Sequence, residues 1–153
     1  MLSRVGKALR IINEEEKEKI AIIFDGPTLA PYFRLENLRK IKESLSEIGV
    51  IRAGKFITDK QLSNDELDTL NSNGFQEEIV GSDVDIHVTL NLLEYMNSKS
   101  YDIIGVATTD ANLFPIFSRI KQNKKLLIIT WKKDIDPSME AIADYILQLD
   151  YLV

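Results

Sequence analysis

Three short stretches of the chain carry acids at positions where acids can do chemistry. Asp25 ends the apolar run Ile20-Ala21-Ile22-Ile23-Phe24 and is followed at once by Gly26 and Pro27. Asp110 follows a second apolar run, Ile103 to Ala107, after Thr108 and Thr109. Asp83 and Asp85 open the periodic segment that precedes that second run. An isoleucine-rich run broken by Gly-Pro reads as a buried strand that delivers its last residue to the edge of a sheet. Ligands of open α/β sheets bind just beyond the carboxyl ends of the strands. If the two strands are neighbours, Asp25 and Asp110 emerge at one rim. Crowded carboxylates repel one another, so they must share protons or hold a cation. With no cysteine and a single histidine in the chain, an oxygen-only donor set favours Mg²⁺ or Mn²⁺ over Zn²⁺.

Each acid also has a structural reading. Asp83 and Asp110 sit at predicted helix starts, where aspartate is favoured as a cap and against the helix dipole. Asp25 in a Gly-Pro turn can serve as a turn residue. Asp85 lies two residues round the helix from Asp83 and is the weaker ligand. His87 reads as a packing or surface residue of the same helix. The joint occurrence of acids at strand ends and helix starts favours the functional reading.

The elements that must position these acids alternate along the chain. Leu2, Val5, Leu9 and Ile12 recur at helical spacing ahead of the charged run Glu14 to Lys19. This predicts an N-terminal amphipathic helix over residues 1–19 that covers the sheet or mediates self-association as a homodimer. An α/β domain is expected over 20–153. After the first strand, Leu35, Leu38, Ile41, Leu45 and Ile48 mark a helix closed by Gly49 as a C-cap. Val50 to Ile57 reads as a strand and Ser63 to Leu70 as a helix capped by Ser63 or Asn64. Asn73-Gly74 is a turn before a short strand, Phe75 to Val80. Gly81-Ser82-Asp83 then opens a helix with Ile86, Leu90, Leu93 and Met96 along its face. Leu113, Phe114, Phe117 and Ile120 mark the helix after Asp110, and Leu126 to Thr130 is a strand. Asp136-Pro137 starts a brief helix before the last strand, Tyr145 to Leu149. Strands alternating with helices predict right-handed βαβ units in a three-layer α/β/α domain with a mainly parallel sheet.

The 153 residues are 44% hydrophobic and 28% charged, ordinary usage for one globular domain. No apolar run approaches the ~20 residues of a membrane span. Arg4, Lys7 and Arg10 interrupt any apolar signal core, and a cytoplasmic location is expected. The net charge of −5 argues against bulk non-specific nucleic-acid binding but leaves room for a local basic rim.

The first motif, Ile22-Ile23-Phe24-Asp25-Gly26-Pro27-Thr28-Leu29, superficially looks like that of haloacid-dehalogenase-type phosphatases. That chemistry needs a second aspartate two residues after the nucleophile, and position 27 is proline. A glycine-rich phosphate loop is absent as well. The fuller pattern is Asp25-Gly26-Pro27-Thr28, then Gly81-Ser82-Asp83-Val84-Asp85, then Ala107-Thr108-Thr109-Asp110-Ala111-Asn112-Leu113-Phe114-Pro115, with a late Ala143-Asp144-Tyr145. These ordered motifs resemble those of the NYN domain family, a branch of the PIN-like nuclease superfamily, and most closely its LabA-like archaeal members. The resemblance runs from about residue 20 to the C-terminus. It implies a PIN-like parallel sheet, an acidic site for Mg²⁺ or Mn²⁺ held by Asp25, Asp83 and Asp110, and cleavage of RNA.

The chain departs from the family pattern at two positions. Thr28 replaces the usual asparagine of the first motif, and Asn112 replaces the second aspartate of the third. Asn112 offers a neutral oxygen where the family offers a charged one, which weakens the hold on a second divalent ion. Groups for holding nucleic acid follow other strands: Tyr32, Phe33 and Arg34 after the first, Lys60 after the second, and Trp131, Lys132 and Lys133 after Leu126 to Thr130. Parallel strands gather all of them on the Asp25 side, where cations meet phosphates and aromatics stack on unpaired bases. Lys121, Lys124 and Lys125 precede a strand and belong at the opposite end. The expectation is a metal-dependent endoribonuclease acting on single-stranded RNA through Asp25, Asp83, Asp110 and Asn112, with Thr28 and the basic rim binding substrate. The alternative is a degenerate member that binds RNA or protein without cutting.

Overall fold

Isoleucine, valine and leucine runs buried on both faces form the centre of the sheet, as expected of parallel strands covered by helices. The computed structural model describes residues 17–152. The predicted N-terminal amphipathic helix, with Leu2, Val5, Leu9 and Ile12, lies outside the described residues. The strands are β1 (Lys19–Asp25), β2 (Val50–Thr58), β3 (Gln76–Ile79), β4 (Ile103–Ala107), β5 (Lys125–Thr130) and β6 (Tyr145–Gln148). They make one sheet in the order β3-β2-β1-β4-β5-β6, with every pairing parallel. The helices are α1 (Gly26–Leu29), α2 (Leu38–Leu45), α3 (Asn64–Ser72), α4 (Val84–Met96), α5 (Phe114–Lys121) and α6 (Pro137–Ile142).

Alternation along each strand divides the core in two. Ile20, Ile22 and Phe24 pack with Leu38, Ile41, Leu45, Leu70 and Phe75 on the α2–α3 face. Ala21 and Ile23 pack with Val88, Leu92, Phe117, Ile120 and Met139 on the α4–α6 face. The three-layer architecture is therefore as the alternation of elements predicts. The strand order reverses direction between β1 and β4, so the crevice at their carboxyl ends is the switch point where α/β sheets bind ligands.

Several local expectations hold. Ser63 caps α3 through a reciprocal capping box with Glu66. Gly74 turns at a φ of 85°, a left-handed conformation that glycine adopts without a side-chain clash. Asp136 accepts a hydrogen bond from the Met139 amide at the head of α6.

Others are corrected. Gly49 is not a left-handed C-cap, because among the described residues Gly74 is the glycine with positive φ. Helix α2 ends earlier, at Leu45. A Cβ at position 49 would lie 2.5 Å from the Glu18 carbonyl, so glycine is needed there for close approach to the chain entering β1. The face of α4 is also different. Val88, Asn91, Leu92 and Tyr95 are buried, whereas Ile86 and Leu90 are 54% and 56% exposed. Both faces of that helix are apolar in sequence. The choice falls to Asn91, which bonds Lys55 and Glu78 of the sheet as well as the His87 carbonyl. A buried amide satisfied in this way fixes the helix rotation.

Gly54 shows how closely β2 is packed. Phe75 is almost fully buried and meets Phe24 edge-on at 5.3 Å. A Cβ at position 54 would lie 2.1 and 2.2 Å from carbons of the Phe75 ring. Gly54→Ala is expected to destabilise the fold by about 2 kcal/mol through overpacking, measured as a fall in the urea midpoint with unchanged slope.

Candidate functional site

Asp25 is the last residue of β1 and follows the α4–α6 alternation of Ala21 and Ile23. It is 1% exposed. Its Oδ2 accepts a hydrogen bond of 2.7 Å from the Thr108 hydroxyl. Its Oδ1 is buried and has no hydrogen-bond partner among the described residues. Burial raises the carboxyl above its ordinary 3.8, opposed by the hydrogen bonds of Thr108 and Thr28 and reinforced by the negative charge of Asp110. A buried carboxylate with one open oxygen, beside a second acid, is a strong attractor for a cation or proton.

Four threonine and aspartate groups close the crevice between β1 and β4. Thr108 Oγ1 donates to Asp25 and accepts from the Asp110 amide at 3.0 Å. Thr28 Oγ1 accepts from the Thr109 amide at 3.1 Å and lies 3.2 Å from Thr108 Oγ1. Asp110 Oδ1 in turn accepts from the Asn112 amide at 2.9 Å. The capping role expected for Asp110 is thus present, and it leaves the other carboxylate oxygen for a ligand. Thr108 carries more of the site than its place in a turn suggests. The signal in the sequence is a hydroxyl one step past β4, in register with Asp25 one step past Phe24.

The predicted site residues divide. Asp25 and Asp110 are brought together. Asp83 lies at the head of α4, whose body packs on β1, β2 and β4, and so it occupies the same carboxyl edge. It is exposed, in a left-handed conformation (φ 54°), with its carboxylate accepting from Ser82 and capping nothing. Among the described residues, no three acidic or histidine side chains form a ready-made cation group. The expected convergence of Asp25, Asp83 and Asp110 is therefore not pre-formed. Asp85 and Asn112 are exposed and His87 is half-buried.

The basic and aromatic groups lie on the other flank of the same edge. Phe33 and Trp131 pack against the α2–α3 core. Arg34 and Lys60 line a cleft between the segments that follow β1 and β2. Lys132 and Lys133 are exposed, and Lys133 Nζ lies 5.3 Å from the centre of the exposed Tyr32 ring. Lys121, Lys124 and Lys125 stand at the opposite edge, as expected, bonded to Asp144, the Ser98 carbonyl and Glu18. Gly26 is fixed by close approach: a Cβ there would lie 2.4 Å from the Ile57 carbonyl.

The raised Asp25 carboxyl has a consequence for stability. A group whose folded pKa exceeds its unfolded value stabilises the fold below the unfolded pKa, and that contribution is lost as pH rises through the folded pKa. In EDTA, wild type should therefore gain stability relative to Asp25→Asn as pH falls from neutral toward 4. Parallel thermal melts across that range measure the changing difference.

Comparison with known proteins identifies the family and the fold. The NYN domain model matches residues 19–150. The uncharacterized protein MJ0482 of Methanocaldococcus jannaschii is 29% identical over 135 residues, covering 87% of this chain and 56% of that protein. The chain thus spans about half the length of that curated relative. In fold, the chain is similar to VPA0982, a protein of unknown function from Vibrio parahaemolyticus. The TM-score is 0.72 at 19% identity, over 89% of this chain and 95% of the other. With its six-stranded parallel sheet and motifs in order, the chain belongs to the NYN domain family of the PIN-like nuclease superfamily.

Proposed function

We propose that this domain is a divalent-metal-dependent endoribonuclease acting on single-stranded RNA in the cytoplasm. The observation that carries the reading is the buried Oδ1 of Asp25, without a hydrogen-bond partner among the described residues, beside Asp110 at the switch point of the sheet. Two carboxylates suit Mg²⁺ or Mn²⁺ in the mode where one or two acids, several waters and substrate phosphates complete the shell. Asp25 and Asp110 would hold the ion, with Asp83 and Asn112 reaching it through water or substrate. Such an ion polarises a phosphoryl oxygen and lowers the pKa of a bound water.

The chain's own groups do the rest. Thr108 holds the Asp25 carboxylate in one rotamer by donating to Oδ2. Thr28 ties the end of β1 to the turn after β4 and so keeps Asp25 and Asp110 together. Arg34, Lys60, Lys132 and Lys133 are exposed on the flanking loops and would bind phosphates, while Tyr32 and Trp131 would stack on bases. A second reading, a non-cutting RNA- or protein-binding module, is favoured by Asn112 in place of an acid and by the lack of a pre-formed three-acid group among the described residues.

The two readings part in one assay. Wild type should cleave single-stranded RNA in Mn²⁺ and not in EDTA, and Asp110→Asn should abolish cleavage. Asn112→Asp adds a ligand charge at an exposed position. If worth ~1.4 kcal/mol in the transition state, it should raise the rate about tenfold. Thr28→Asn removes a hydroxyl that accepts from Thr109, and is expected to give no gain on its own. RNA binding without cleavage by both wild type and Asn112→Asp would establish the binding module instead.

A further inference from the structure

The cleft beside α1 lies within one residue of Asp25 and has a composition of its own. It holds about 570 Å³, within the range of small-ligand sites. Gly26 and Pro27, the two residues after Asp25, form part of its wall. Phe33 and Phe56 form an apolar surface, their rings 6.3 Å apart and 22° from parallel. Phe56 is buried, and Phe33 is the more open of the two.

The charges of the cleft decide what part of a nucleotide it suits. Arg34 and Lys60 are outnumbered by Glu36, Asp59, Asp65 and Glu66. That balance repels a phosphate from the interior and favours a neutral group carrying N–H donors. Glu66 spends one carboxylate oxygen on the Ser63 amide in the capping box. The Asp65 carboxylate forms no hydrogen bond among the described residues, and its backbone carbonyl accepts from the Thr69 hydroxyl. The exposed cations Arg34 and Lys60 suit the phosphates on either side of an inserted base.

We infer that this cleft is a base-recognition subsite, taking one unpaired nucleobase with an exocyclic amino group from RNA that crosses the Asp25 edge. The inference rests on the RNA reading proposed above. Bases splayed from a single strand stack on aromatic rings and are read through their hydrogen-bonding edges. Cytosine presents an N4 amino donor where uracil presents an O4 acceptor. A carboxylate pairs with the first and repels the second. The subsite therefore prefers cytosine to uracil, two bases of the same size, and places a base-specific contact beside the acids.

The test is fluorescence anisotropy in EDTA with labelled oligocytidylate and oligouridylate of equal length. Wild type should bind oligocytidylate about tenfold more tightly, on the order of one good base-edge contact. Phe33→Leu, which keeps an apolar side chain but removes the stacking ring, should weaken oligocytidylate binding several-fold. The double change Asp65→Asn with Glu66→Gln should abolish the preference. Glutamine serves in a capping box as glutamate does, so the head of α3 is kept in that variant. Equal binding of the two oligomers by wild type, or a preference that survives the double change, overturns the subsite while leaving the RNA reading intact. Failure of wild type to bind either oligomer overturns the subsite and the RNA reading together.

Discussion

The hydrogen bond from Thr108 Oγ1 to Asp25 Oδ2 spans the point where the sheet changes direction. Much of the rest can be understood as what keeps a charged carboxylate in that buried place. The parallel strands β1 and β4 set the two backbones side by side. Isoleucines of β1 and the helix residues on both faces exclude water from the strand itself. Burial penalises the ionised acid, and the hydrogen bonds of Thr108 and Thr28 offset only part of that penalty. The second oxygen is left without a partner among the described residues. An arrangement that costs stability and leaves a lone pair open is a common mark of a functional carboxylate.

The two flanks of this edge have different chemistry, and the division follows from strand alternation. Asp25 lies on the α4–α6 face of β1, while Phe33 and Trp131 pack against the α2–α3 core. Acids and aromatic or basic groups thus approach the rim from opposite sides, with the four residues of α1 between them. A single strand of nucleic acid lying across that edge would meet both.

The strands were legible because parallel strands covered on both faces read as continuous apolar runs. Ile103 to Ala107 needs no revision, and β1 and β5 each extend by one lysine beyond the predicted start. The sheet edge occupied by Asp25 and Asp110 followed from the βαβ rule. The rotation of α4 was not legible, because Ile86 and Leu90 are as apolar as Val88 and Leu92, and the deciding contact is Asn91 with Lys55 and Glu78 across the layers. The role of Gly49 was misread for a similar reason: its constraint comes from Glu18, distant in sequence. Asp83 was legible as an edge residue, but its left-handed backbone was not. Thr28 read as the replacement of an asparagine, whereas in the fold its hydroxyl joins two turns that are 81 residues apart. The cleft beside α1 depends on two loops meeting and has no signature in either one.

The claim at the centre of this account is that Asp25 and Asp110 together hold one divalent ion at the switch point. Titration of the metal-free protein with Mn²⁺, followed by electron paramagnetic resonance of the free ion, measures this without RNA or turnover. The account predicts one Mn²⁺ bound per chain, displaced by Mg²⁺, with binding lost in Asp25→Asn and in Asp110→Asn. Saturable binding that is unchanged in both variants, or no binding to wild type at all, would contradict it.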